Sequence, residues 1–299
     1  MKIKQSFEDF WSEALTEMNH YPLDDHIQNI RQTDTIDEIG DFSYLGAKEE
    51  RIYGFYLRHK GDPRPTVLMF HGYGWHKGQP EDYLDWYQLG VNVFAIDIRG
   101  QRGLTKDQYP YQMGDHRLMT RGLDQPQHYY LKHVYLDGLR LIDFASAQPF
   151  VDSSKIILHG GSQGGGIVFA LAGLKEVYMT FADVPSYSYF EGRIQTRNGS
   201  VSEIADYIDE HHLFLKDILD CLSYFDLINF APHIKNPLVA SVGLADDICP
   251  ARYFMKAYLK VSVEKELYEY PNAGHEGGGK VHQDIKLNIL KKRLSNLQK

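Results

Sequence analysis

The stretch Ile156-Ile157-Leu158-His159-Gly160-Gly161-Ser162-Gln163-Gly164-Gly165-Gly166-Ile167-Val168-Phe169 decides the fold. A short aliphatic run reads as a strand, and the apolar residues after the glycines read as a helix. Between them sits Gly160-Gly161-Ser162-Gln163-Gly164, a G-x-S-x-G. At a strand-to-helix junction this pattern makes a sharp turn that holds its serine in a strained conformation and lifts the hydroxyl above the sheet. Flanking glycines are needed because side chains there would collide with neighbouring backbone. The following helix aims its unsatisfied N–H groups at any oxyanion formed on the serine. A bare G-x-S-x-G can also be a plain glycine turn; its place between strand and helix is what raises it above that.

Working outward, similar strands recur. Arg51 to Arg58 alternates around Ile52, Tyr53, Phe55 and Leu57. Thr66-Val67-Leu68-Met69-Phe70 ends at His71-Gly72, and Val91 to Ile96 ends at Asp97 and Arg99-Gly100-Gln101. Val177 to Phe181, Leu238 to Val242 and Leu267 to Tyr270 complete the set. Helical stretches are expected at 6–17, with Ser6 as cap and Asp9 as a weak capping-box partner, at about 128–147, and from about Val281. Short apolar strands alternating with helices predict a mostly parallel sheet with helices on both faces. One α/β domain over 1–299 is expected, with an N-terminal helical extension and excursions at 101–125 and 184–235.

Serine is a weak nucleophile without a base and an orienting acid. In the fold built on this elbow the acid precedes the histidine in the chain. Of the 14 histidines, His275 fits, on Asn272-Ala273-Gly274-His275-Glu276-Gly277-Gly278 after the last strand, whereas His282 falls within the last helix. Asp246 and Asp247, in Gly243-Leu244-Ala245-Asp246-Asp247-Ile248-Cys249-Pro250, are both candidates for the acid. Spacing alone does not separate them; the one not used caps the next helix or faces solvent. Oxyanion donors are expected at the backbone N–H of Gln163 and of Tyr73 in His71-Gly72-Tyr73-Gly74. Arg99 and Gln101 are expected to brace the loop beneath the site.

Other chemistry finds less support. Gly274 to Lys280 fits G-x-x-x-x-G-K, but Val281 follows, with no hydroxyl for Mg²⁺. No G-x-G-x-x-G follows a strand, and the pairs His71/His76 and His211/His212 lack further ligands at useful spacing. No metal or organic cofactor is expected.

The whole-chain numbers agree with a globular enzyme. The sequence has 299 residues, with 43% hydrophobic and 24% charged residues, which is ordinary for a soluble domain. A net charge of −8 argues against nucleic acid or an anionic membrane as partner. Lys291-Lys292-Arg293 is expected to be the solvated end of a helix. No apolar run spans a bilayer and no secretory h-region opens the chain, so a cytoplasmic location is expected. The two cysteines, Cys221 and Cys249, are expected to be buried and reduced.

With these residues in view, the chain resembles the acetyl xylan esterase and cephalosporin C deacetylase family, the seventh carbohydrate esterase family. The resemblance is carried by the Phe10-Trp11 helix, His71-Gly72-Tyr73, Arg99-Gly100-Gln101, Met119-Thr120-Arg121-Gly122, Gly161-Ser162-Gln163-Gly164-Gly165, Leu222-Ser223-Tyr224-Phe225-Asp226, Gly243-Leu244 with Asp246, and His275-Glu276. It implies an α/β-hydrolase fold, with Ser162, Asp246 rather than Asp247, and His275 as the catalytic residues. It implies Tyr73 and Gln163 as oxyanion donors, small acetylated molecules (xylo-oligosaccharides, cephalosporin C) as substrates, and a homo-oligomer, a ring-like hexamer. Differences are Gly74 where many members have Asn, Pro250-Ala251 where they have Pro-Pro, and a shorter stretch after Gln101 than in some relatives. Two rival functions share the elbow: a prolyl-type serine peptidase and a catalytically silent binding protein.

Overall fold

Alternation along the strands builds two cores. In β4 (Arg64–Phe70), Leu68 and Phe70 face one side of the sheet, and Val67 and Met69 the other. In β5 (Asn92–Ile96), Phe94 and Ile96 likewise oppose Val93 and Ala95. A strand buried on both faces belongs inside a sheet covered by helices on both sides. In this computed structural model, which describes residues 5–295, that is where both strands lie.

The remaining strands are β1 (His26–Arg31), β2 (Glu38–Leu45), β3 (Arg51–Arg58), β6 (Val151–Gly161), β7 (Met179–Asp183), β8 (Leu238–Gly243) and β9 (Lys265–Tyr270). Among the described residues these nine strands form one sheet in the order β1-β2-β3-β5-β4-β6-β7-β8-β9. The first three join antiparallel, β3 against β5, and from β5 to β9 every neighbour is parallel. The chain reverses direction across the sheet at β4, and the loops following the parallel strands all leave from one edge, where α/β sheets carry their sites.

The helices are α1 (Phe7–Met18), α2 (Leu84–Tyr87), α3 (Tyr130–Ser146), α4 (Gln163–Leu174), α5 (Phe190–Thr196), α6 (Ser202–His211), α7 (Leu215–Leu222), α8 (Leu227–Phe230), α9 (Ala251–Tyr258) and α10 (Gly279–Ser295). Residues of α1, α3, α4, α8 and α9 pack into the larger core, whereas Trp86 and Tyr87 of α2 and Leu290 of α10 pack into the smaller one. This is the α/β-hydrolase arrangement. Ser6 caps α1 by accepting from the Asp9 N–H at 3.0 Å, and Trp11 locks it down by donating to the Tyr224 carbonyl at 3.0 Å. No helix among the described residues is long and apolar enough to cross a membrane.

The expected strands and helices are present, with ends displaced by up to five residues. β6 begins at Val151 rather than Ile156, and β7 is shifted two residues on, to Met179–Asp183. β1 and β2 were not expected.

Candidate active site

The elbow is built as its glycines require. Ser162 sits at φ 58° and ψ −117°, in a region that L-residues rarely occupy. It stays there because backbone passes on every side. A Cβ on Gly164 would lie 2.0 Å from the Phe70 carbonyl oxygen, and one on Gly160 would lie 2.4 Å from the Gly164 carbonyl carbon. The Ser162 N–H donates to the Asp183 carbonyl at 2.9 Å, and its own carbonyl accepts from Gly166 and Ser186.

Two loops arrive from the strands beyond β7. The one after β8 carries Asp246 and the one after β9 carries His275. They are stitched together by the Ala245 N–H donating to the Ala273 carbonyl at 3.0 Å and the Leu244 N–H to the Tyr270 carbonyl at 3.0 Å. His275 Nε2 lies 2.9 Å from Ser162 Oγ, and His275 Nδ1 lies 2.9 Å from Asp246 Oδ2. Because the carboxylate can only accept, Nδ1 carries the proton and Nε2 faces the serine hydroxyl as acceptor. Burial opposes charge on Asp246. The bond from His275 and the N–H groups of Cys249 and Ile248, both 2.8 Å from Oδ1, nevertheless hold its carboxyl below the usual range. Asp247 is exposed, and its carbonyl accepts from the Asn198 side chain at 2.7 Å.

The loop after β4 flanks the serine so closely that a Cβ on Gly72 would meet the Ser162 Cβ at 4.0 Å. His71 fixes that loop. Its Nε2 accepts from the Ile98 N–H at 2.9 Å and its Nδ1 donates to the Gly72 carbonyl at 2.8 Å. Burial lowers its pKa to about 4, so the ring is neutral. Both nitrogens are engaged in this way, and His211 packs its ring against Tyr207 at 4.2 Å. Among the described residues no group of three or more His, Cys, Asp or Glu side chains is placed to hold a metal.

Gln101 joins the two segments that carry Tyr73 and Gln163. Its Oε1 accepts from the Gly74 N–H at 2.7 Å, and its Nε2 donates to Gln163 Oε1 at 2.9 Å and to the Tyr130 hydroxyl at 3.1 Å. The Gln163 N–H opens α4 and so has no acceptor within its own helix. Arg99 is fully buried and forks onto Asp137, at 2.6 Å and 2.7 Å. Burial pushes the Asp137 carboxyl above its usual range, with the Arg99 fork and the Ala47 N–H acting against that shift, while the carboxylate holds the Arg99 charge firmly.

Two neighbours of the site had not been singled out for it. Cys249 is buried as expected, but its Sγ lies 4.0 Å from Ser162 Oγ; its place three residues after Asp246 was the available signal. Glu203, on α6, accepts the Tyr73 hydroxyl at 2.8 Å and the Met119 N–H at 3.1 Å. Nothing local in the sequence of α6 marks it, since its partners lie far along the chain.

Comparison with known proteins settles the relationship. The family model for acetyl xylan esterase (AXE1) matches residues 2–293. The chain belongs to the acetyl xylan esterase family. An acetyl xylan esterase from Paenibacillus sp. R4 superposes with a TM-score of 0.92 at 32% identity, covering 98% of this chain and 96% of that one. Acetyl xylan esterase 1 from Thermoanaerobacterium sp. JW/SL YS485 gives 0.87 at 28% identity, covering 95% and 93%. Acetyl esterase Axe7A of Xylanibacter ruminicola is 27% identical over 83% of this chain, which spans 58% of the length of that curated relative.

Proposed function

We propose that this acetyl xylan esterase family member hydrolyses acetyl esters of small molecules through an acyl-serine intermediate. The observation that carries the reading is the unbroken chain Ser162 Oγ, His275, Asp246, with both links at 2.9 Å. Ser162 attacks the ester carbonyl while His275 Nε2 takes its proton and passes it to the departing alcohol. Asp246 holds the imidazole in the tautomer that accepts at Nε2 and stabilises its protonated form. The N–H groups of Tyr73 and Gln163 receive the oxyanion; one such donor contributes about 2.7 to 4 kcal/mol. Water, activated by the same histidine, then releases acetate and the free serine.

Acetylated xylo-oligosaccharides and cephalosporin C-type molecules are the substrates this reading names. It places the enzyme in the cytoplasm, as a homo-oligomer in the manner of a ring-shaped hexamer. Acetate release from 4-nitrophenyl acetate, 4-nitrophenyl butyrate and acetylated xylo-oligosaccharides tests it, with Ser162→Ala alongside. Fast acetyl turnover, weak butyryl turnover and a loss of about three or more decades in the variant are expected. A variant equal to wild type, or no acetyl turnover at all, would overturn the assignment and favour a binding role.

A further inference from the structure

Behind the elbow, on the opposite face of the sheet from α4, lies a partly buried cluster that the proposed reaction does not use. Asp183 ends β7, His159 lies on β6 three residues before Ser162, and His282 and Lys286 are on α10. Lys286 and His282 are 3% and 2% exposed. Lys286 Nζ donates to an Asp183 oxygen and, at 2.7 Å, to His159 Nε2. His282 Nε2 lies 3.1 Å from the other Asp183 oxygen, and its Nδ1 lies 3.0 Å from the Tyr270 hydroxyl. An ammonium can only donate, so His159 Nε2 is an acceptor there. Its 3.3 Å approach to the Asp183 carboxylate is therefore proximity, not a hydrogen bond. Burial opposes ionisation of Asp183, and the adjacent Lys286 ammonium, with the His282 imidazole, more than offsets it.

Asp183 touches the site with its other end. Its carbonyl accepts the Ser162 N–H at 2.9 Å. One residue thus holds the nucleophile by its backbone and α10 by its side chain. The importance of α10 lies in what precedes it. Between His275 and that helix run Gly277 and Gly278, and Gly279 opens the helix, all three at positive φ. Glycine takes that conformation without strain, and it turns the chain tightly: the Gly277 N–H donates to the Gly274 carbonyl at 3.2 Å and the Gly279 N–H to the Glu276 carbonyl at 2.8 Å, so the position of the histidine loop follows that of α10. His282 and Lys286, in the first two turns, fix it on Asp183.

Resting on the serine-hydrolase reading above, we infer that Asp183 and Lys286 are positioning residues that set His275 over Ser162 by tying the start of α10 to the strand end that holds the elbow. Neither touches substrate. A displacement of about 1 Å in such an arrangement costs about a hundredfold in rate.

The test is the rate at which a fluorophosphonate probe labels Ser162, followed by intact mass, together with the urea midpoint of each variant. Lys286→Met and Asp183→Asn are expected to label about 10- to 100-fold more slowly while folded, and Lys286→Arg to recover most of the rate. The double variant Asp183→Asn/Lys286→Met strands no buried charge, so it keeps the question open to measurement if a single variant folds poorly; it too is expected to label slowly. Lys132→Met, which breaks the remote pair with Glu17 between α3 and α1, is expected to lower the midpoint and leave labelling unchanged. In acetyl-ester assays the loss should fall on kcat, with KM within about twofold. Labelling at the wild-type rate in the folded variants would overturn the inference. Failure of the acetyl-ester reading looks different: a wild type that labels normally but releases no acetate.

Discussion

Asp246 and Asp247 are neighbours of the same type on the same loop, and only their surroundings distinguish them. Asp246 has one oxygen on the imidazole and the other on two backbone N–H groups, whereas the Asp247 carboxylate is exposed. Replacing the first by an amide would turn an N–H group toward His275 Nδ1 or leave that nitrogen's proton unsatisfied, favouring the wrong tautomer. Asp246→Asn is therefore expected to lower kcat by about four decades, and Asp247→Asn by less than about twofold. Steady-state kinetics on 4-nitrophenyl acetate checks both, and comparable losses would break the assignment. Chain order alone left the pair open; the resemblance chose Asp246, and Asp246 is the one of the two whose carboxylate meets His275. The serine and histidine were legible because their signals are local: glycines packed around a strained turn, and a glycine-rich loop after the last strand. Glu203 was not, because its partners Tyr73 and Met119 lie far along the chain and only the tertiary fold brings it to them.

Among elements, legibility followed burial pattern. β4, β5, β6 and β8 have cores on both faces, so each announces itself as an apolar run. β1 is exposed along nearly its whole length, and its residues His26 to Arg31 show no alternation. Its pairing also shifts register between Gln28 and Arg31. β2 does alternate through Phe42, Ser43 and Tyr44, but Gly40 interrupts the pattern, where a Cβ would lie 2.4 Å from the Tyr56 ring. The α1 helix was legible from its spacing, and its docking gives an element-scale prediction. Trp11 is 2% exposed and packs among Phe10, Tyr135, Phe225 and Phe230. Trp11→Ala removes that volume together with the Nε1–H donor to the Tyr224 carbonyl, a cost of about 3 to 5 kcal/mol. The urea midpoint should fall accordingly, while kcat per folded molecule stays at the wild-type value, because the ring and hydrogen-bond partners of Trp11 include none of Ser162, Asp246 and His275.

At the scale of the molecule, the buried histidines make stability depend on acid. His71 and His133 are buried and His159 is half-buried, and desolvation leads the causes that depress each one: His71 and His159 to about 4, His133 well below the ordinary value. His133 has an unpartnered Nε2 among the described residues, and the Arg99 charge further opposes its protonation. A folded-state pKa below the unfolded one means that between about 6.5 and 4 the unfolded chain binds protons the folded chain refuses. The stability these neutral rings permit is fully present above about pH 6.5 and declines as pH falls. With three such groups the slope near pH 5 approaches about 4 kcal/mol per pH unit. Below that window the depressed carboxylates of Asp183 and Asp246 lose their charge and act in the same direction. Urea midpoints at pH 7.5, 6 and 5 should thus fall progressively more steeply. His133→Gln, once its own effect at pH 7.5 is subtracted, should flatten the slope near pH 5 by about one proton's worth, about 1.4 kcal/mol per unit. A variant slope equal to that of wild type would mean that His133 takes up its proton in the folded chain, with its ring open to water rather than sealed beside Arg99.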